Sequence, residues 1–144
     1  MIWLLRHGEA VPGSPDAERE LTPKGEEQSR CAGLAMRNLG IEIDVCLSSP
    51  KVRARDTARL ALEAYGGDVE LIIDDALKGG AFDPRDVAAG FEDALLVGHD
   101  PDFSMAVHSL TGAQVRMKKG GLAGIAKGEL AVLMRPVELA AIAG

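Results

Sequence analysis

Apolar residues along this chain fall into two kinds of run. Short, nearly unbroken runs containing β-branched residues read WLL near the start, then IDVCLS, VELII, ALLVG, LAGIA and LAVLM. Between them, residues 23–39, 50–65 and 101–110 place Ala, Leu and Met at helical spacing. The first kind predicts buried strands and the second predicts helices with one apolar face. Their alternation predicts an α/β fold, with a mostly parallel central sheet and helices on both faces. LAGIA and LAVLM are separated only by Lys127, Gly128 and Glu129, which predicts a hairpin at the sheet edge. DPRDVAAGF leaves room for only a brief helix between the third and fourth strands. GGLAGIA and the final ELAAIAG leave apolar character near the C-terminus, as a covered edge or a weak interface.

Three helix starts share one design. Thr22–Pro23, Ser49–Pro50 and Asp100–Pro101 each pair a side chain able to cap with Pro at the first helical position, where its missing N–H costs nothing. The last two follow predicted strands directly, in IDVCLSSP and ALLVGHDP. They therefore share the carboxyl rim of the sheet with the Arg6–His7 pair of LLRHGEA. In open α/β sheets, ligands bind at that rim.

At 144 residues the chain is expected to form a single domain, 1–144. With 47% apolar and 26% charged residues it is not a disordered polymer, and with only 3% aromatics its core must come from Leu, Val, Ile and Ala. No run approaches the ~20 apolar residues that cross a bilayer. The apolar N-terminus is too short for a secretory signal and lacks its basic segment, so no membrane association and a cytoplasmic location are expected. The net charge of −6 argues against a nucleic-acid partner, because a phosphate backbone demands a basic face. A local basic cluster on an acidic protein has another use, which is to select a phosphate. Cys31 and Cys46 lack metal-ligand spacing and read as two small apolar residues. No cofactor and no metal are expected, and a monomer is the default.

The rim carries the candidate chemistry. The first strand delivers Arg6 and His7, and the second delivers Ser48 and Ser49 with Arg53 and Arg55 on the helix that follows. The fourth strand delivers His99. Helix N-termini add unpaired N–H groups and positive dipole ends. Guanidiniums, two imidazoles and a helix end make a dianion site, and a phosphoryl group fits, since arginine forks match its oxygens in pairs. Singly, each piece is ordinary: a strand-end Arg–His pair, a solvated arginine, a capped turn. Together they fall independently on one edge. His108, near the end of a helix, is explained by packing or by a favourable helix-end charge.

The segments LLRHGEA, SSPKVRARDTA and LLVGHDP resemble the signature of the histidine phosphatase superfamily, also called phosphoglycerate mutase-like. ERELTPKGEEQ is similar to the RxLTxxG segment of its small SixA-like phosphohistidine phosphatases, with Arg19, Leu21, Thr22 and Gly25 in place. The C-terminal KKGGLAGI…GELAVLMRPVEL also resembles that subgroup. The resemblance implies a three-layer sandwich in which His7 is the nucleophile and forms a phosphohistidine enzyme. It implies that Arg6 and Arg53 clamp the phosphoryl oxygens, that a cationic His99 supplies a third contact, and that no metal is needed. Arg55 and Arg59 cannot share one helical face with Arg53, which holds the motif position. Arg19 is left either near the phosphate or as an exposed loop charge, and Glu9 as a hydrogen-bonding residue at the rim.

Phosphomonoesters leave as alkoxides unless an acid protonates them, so ester-cleaving members of the superfamily carry a positioned carboxylic acid, usually after the third strand. Here that segment reads IIDDALKGGAFDP. Asp74 and Asp75 are present, but the usual Glu-bearing pattern is not. Phosphoramidates need such an acid less, because the leaving nitrogen can be protonated before it departs. The short connections also leave little material for a lid, which suits a phosphorylated side chain on another protein. The first expectation is a phosphohistidine phosphatase acting on a histidine phosphotransfer protein. A phosphatase of small phosphoesters, with Asp74 or Asp75 as acid, is the alternative. A non-catalytic phosphate-recognition module is a third, against which an intact histidine nucleophile speaks.

Overall fold

The computed structural model describes residues 1–144. Six strands form one sheet: β1 (Ile2–Arg6), β2 (Val45–Ser48), β3 (Glu70–Ile73), β4 (Ala94–Gly98), β5 (Leu122–Ala126) and β6 (Glu129–Met134). Their order is β3-β2-β4-β1-β5-β6. β3, β2, β4 and β1 run parallel, while β5 and β6 are antiparallel additions. The helices are α1 (Pro23–Asn38), α2 (Val52–Tyr65), α3 (Pro84–Val87), α4 (Asp102–Thr111) and α5 (Pro136–Ala143).

Strand alternation sorts the apolar residues into two layers. Trp3 and Leu5 of β1, Cys46 of β2, and Leu95 and Val97 of β4 face one layer. There they meet Ala32, Ala35 and Met36 of α1, Ala54, Ala58 and Ala61 of α2, and Leu139 of α5. Leu4, Leu47, Ala94 and Leu96 face the other, against Phe103 and Val107 of α4 and Leu77, Ala88 and Met117 from connecting segments. Burial on both faces explains why β2 and β4 read as unbroken apolar runs. The architecture is the expected α/β sandwich. Its hairpin is also as predicted: Lys127 and Gly128 turn it with φ of 52° and 73°, the pair of positive values that a tight two-residue hairpin turn requires.

Of the three helix starts, one forms as predicted. Thr22 caps α1, its hydroxyl accepting from the Gly25 N–H. The other two are corrected. α2 begins at Val52, with Lys51 as its cap residue and no side-chain bond there. The Ser49 hydroxyl is instead engaged at 2.8 Å with the His99 ring. α4 begins at Asp102, and the Asp100 carboxylate reaches four residues ahead to accept from the N–H and hydroxyl of Ser104. Ser49 thus serves the rim loop, while Asp100 still caps the first turn of α4 through the Ser104 N–H, from two residues before the helix. The tail holds α5, opened by Pro136 and fixed by the Arg135–Glu138 pair. Leu139 buries completely in the α1/α2 layer, while the neighbouring Ala140 and Ala141 stay exposed.

Candidate active site

β1 and β4 are hydrogen-bonded neighbours with Arg6 opposite Gly98, and β2 lies against β4 with Ser48 opposite Val97. The register therefore sets the residues after these strands side by side at one edge. Backbone bonds hold the turn there. The His7 N–H donates to the Gly98 carbonyl at 3.0 Å, and the Gly120 N–H donates to the carbonyls of Arg6 and His7. Behind the turn, the first turn of α1 comes so near that a Cβ on Gly25 would stand 2.0 Å from the Glu9 carbonyl oxygen. Only glycine permits that approach.

His7, Arg53 and His99 are each only 6% exposed, which is unusual for these residue types and calls for partners. His7 Nδ1 donates to the Gly8 carbonyl at 2.7 Å. This bond fixes the tautomer and leaves Nε2 with a lone pair. Arg53 Nε lies 3.4 Å from that lone pair. The rings of His7 and His99 are 5.2 Å apart, tilted by 57°. Arg6 donates to the Met117 carbonyl at 2.8 Å, while its Nε and the Nδ1 of His99 are buried without a hydrogen-bond partner. The orphaned Arg6 Nε is a donor, and buried orphan donors are rare and costly; an oxyanion ligand is one way to satisfy it.

Electrostatics follow from burial inside a cluster of cations. Burial pushes the His7 imidazole down to about 4, and Arg53, Arg6 and Lys119 push the same way against the Gly8 hydrogen bond. Burial also lowers His99, with His7, Arg53 and Lys51 adding to it and Asp16 opposing, to about 3. Both rings are neutral at pH 7. For His99 this corrects the cationic state that the family resemblance implied: desolvation and three neighbouring groups, His7, Arg53 and Lys51, all disfavour a positive charge there. Burial lowers the Arg6 guanidinium as well.

The structure thus brings Arg6, His7, Arg53 and His99 to one place. Arg55 is exposed on the far side of α2, and Arg59 pairs with Asp56 and Glu63 on the same helix. Arg19 donates to the Val11 carbonyl and pairs with Asp16. Glu9 accepts from the Thr22 hydroxyl at 2.8 Å. The Asp74 carboxylate caps the short turn Asp75–Leu77 through the Ala76 N–H, and Asp75 is exposed. His108 lies away from the site on the outer side of α4. No three His, Cys, Asp or Glu side chains converge as metal ligands. Burial pushes the Cys46 thiol up to about 12, which makes it inert.

Sequence reasoning passed over two participants. The Thr57 hydroxyl accepts from the Gly8 N–H at 3.0 Å and donates to the Arg53 carbonyl at 2.7 Å, tying the His7 turn to α2. Its signal was its place four residues after Arg53, on the same helical face. Asp16 is the second. Its carboxylate lies 3.2 Å from Arg53 and 3.1 Å from Lys51. Nothing in PGSPDAER marks it.

A neutral histidine held in one tautomer, buried among guanidiniums at the carboxyl rim of a parallel sheet, defines an enzyme that handles phosphoryl groups. The chain matches the histidine phosphatase superfamily (branch 1) over residues 2–113. It belongs to that superfamily, and is a phosphatase of the kind that works through a histidine nucleophile. An uncharacterized protein of Picosynechococcus is 29% identical over 140 residues, covering 88% of this chain and 85% of its own. The mitochondrial serine/threonine-protein phosphatase Pgam5 of Drosophila ananassae is 37% identical over 73 residues, but the match spans only 25% of its length. Among solved structures, the protein histidine phosphatase SixA complexed with tungstate has a TM-score of 0.83 at 22% identity, covering 96% of this chain and 98% of that one. A Nakamurella multipartitia protein assigned as the phosphohistidine phosphatase SixA has a TM-score of 0.76 at 27% identity, covering 94% and 95%. Within the superfamily the chain is SixA-like. No helix is long and apolar enough to cross a membrane.

Proposed function

We propose that the protein is a phosphohistidine phosphatase, hydrolysing N-phosphohistidine on phosphorelay proteins of the histidine phosphotransfer type. One observation carries the reading: His7 is neutral, with Nδ1 bound to the Gly8 carbonyl and Nε2 beside Arg53. The substrate imidazole takes a proton from solvent on its free ring nitrogen, Nε2 attacks phosphorus, the bond from phosphorus to that imidazole breaks, and the imidazole leaves neutral. Arg6 and Arg53 grip the phosphoryl oxygens and stabilise charge in the transition state. His99 gains a proton, or donates a hydrogen bond, only once the dianion is present to offset the surrounding cations. Water then attacks the phosphorus on His7, Nε2 leaves with its lone pair, and inorganic phosphate is released.

The choice of a nitrogen leaving group is supported by the carboxylates. Asp74 is engaged as a turn cap and Asp75 is exposed, and neither bonds to a site residue. An ester would need one of them to move inward and hold a proton. Access supports a protein substrate: α3, between the third and fourth strands, is only four residues long. The test is phosphate release from a phosphohistidine-bearing phosphotransfer protein and from a matched phosphoserine peptide, with His7→Ala as control. Release from phosphohistidine alone, abolished in the variant, is expected. Equal or faster release from the ester would overturn the reading in favour of Asp74 or Asp75 as acid. Release that survives in the variant would remove His7 from its role.

A further inference from the structure

Residues 12–19 form a strap against the site, and its attachment is unusual. Residues 11–18 are all exposed, and the short turn Asp16–Glu18 buries no residue. Apolar packing therefore contributes nothing to holding it. At its neck the Val11 N–H donates to the Glu20 carbonyl, and Arg19 Nε donates to the Val11 carbonyl at 2.8 Å. The remaining tie is Asp16. Its carboxylate contacts Arg53 at 3.2 Å, Lys51 at 3.1 Å and Arg19 at 3.0 Å, and its carbonyl oxygen accepts from Arg53 at 2.9 Å.

Asp16 thus fills the Arg53 fork with one carboxylate oxygen and its own carbonyl oxygen, beside the Lys51 ammonium, where phosphoryl oxygens would otherwise sit. All three nitrogens of Arg53 are engaged in the free protein, two by Asp16 and the third by His7 Nε2. A phosphoryl group approaching His7 must take some of those donors. It brings two negative charges and three terminal oxygens against one carboxylate, which is half-exposed and already screened by water. Both anions cannot share one guanidinium without repelling each other.

We propose that Asp16 is an internal stand-in for the phosphoryl group: it holds Arg53 and Lys51 in the resting protein, and the arriving dianion displaces it. Displacement releases the strap over residues 12–19 and leaves Lys51 as a further cation that binds the substrate. The device rests on the reading of Arg53 as a phosphoryl clamp. It keeps the guanidinium oriented while the site is empty, and it weakens the hold on product phosphate, since Asp16 returns as phosphate leaves.

Inorganic phosphate is the probe. Its affinity is measured by calorimetry on the full chain for the wild type, Asp16→Asn and Lys51→Met, alongside hydrogen exchange of residues 12–19 with and without phosphate. Removing a competitor raises the fraction of protein competent to bind, so Asp16→Asn is expected to bind phosphate about five- to tenfold more tightly. Lys51→Met is expected to bind it more weakly. In the wild type, phosphate should speed exchange across the strap. In Asp16→Asn the strap should exchange fast from the outset. Tighter binding cannot come from a misfolded variant. Unchanged or weaker phosphate binding in Asp16→Asn, or a strap whose exchange ignores phosphate, overturns the proposal. A wild type that binds no phosphate at all overturns the phosphoryl-clamp reading beneath it.

Discussion

Arg53 shows how much one side chain can be asked to do. Its position near the start of α2 opposes the helix dipole, yet the residue is buried and each of its nitrogens is bonded. A lysine there would keep the charge but lose the planar fork, so it could meet either the phosphoryl oxygens or His7, not both. Arg53→Lys is expected to lower kcat/KM for phosphohistidine about 10²–10³-fold, the range for losing one preorganised transition-state contact. Steady-state kinetics beside a matched thermal melt would check it, and a loss of less than about threefold would remove Arg53 from the chemistry. Local spacing placed both Arg53 and Arg55 on the helix after Ser49–Pro50, and the family resemblance, through the motif position, singled out Arg53. Asp16 was not legible, since its meaning arises only from where an exposed loop comes to lie.

At the scale of elements, the site depends on α1 and α2 lying unusually close. Their facing residues are small, Ala32 and Ala35 against Ala54, Ala58 and Ala61. At the closest point a Cβ on Gly33 would stand 2.0 Å from the Ala61 carbonyl oxygen. Alanine at that position gains about 1 kcal/mol of helix propensity over glycine. It also drives a side-chain carbon into backbone that cannot rotate away, and overpacking of this kind costs about 1–3 kcal/mol or more. The clash wins. Gly33→Ala is expected to be less stable than the wild type in urea or thermal denaturation, and a more stable variant would mean that the helices part freely. Because Thr57 of α2 carries the Gly8 N–H, separating the helices should also loosen the His7 turn.

Across the whole molecule, the two buried imidazoles couple folding to pH. Unfolded, both titrate near 6.5; folded, His7 sits at about 4 and His99 at about 3. Between pH 4 and 6.5 the unfolded chain therefore binds about two more protons, so stability rises with pH across that window. The stability is fully present above about pH 6.5 and is lost as pH falls, by roughly 2–3 kcal/mol per unit near pH 5. Asp16, held below the usual carboxylate range by Arg19, Lys51 and Arg53, acts in the same direction only at lower pH. Urea denaturation from pH 7.5 to 4.5 should show this fall, with about half the slope in His7→Gln. An equal slope in that variant would mean His7 is not buried neutral.

What the sequence determined by itself was whatever is written in local periodicity and short spacing. The central strands β2 and β4 are unbroken apolar runs because both sheet faces are buried there, and the Lys127–Gly128 turn announces its own hairpin. Arg6, His7 and His99 could be read because they stand at the ends of β1 and β4, and strand ends on one rim meet by topology alone; Arg53, on the helix after β2, was singled out by its motif position. Tertiary structure decided the rest, where a side chain's partner lies far along the chain. Ser49 looks like a helix cap, but its hydroxyl is bonded to His99, fifty residues on. The tail became a helix because Leu139 found a buried place on α1 and α2. The charge state of His99 was also settled by assembly, since desolvation and the field of neighbouring cations exist only once the rim has closed around it. Asp16 joined the site for the same reason: two guanidiniums and an ammonium from different elements converge where its loop passes.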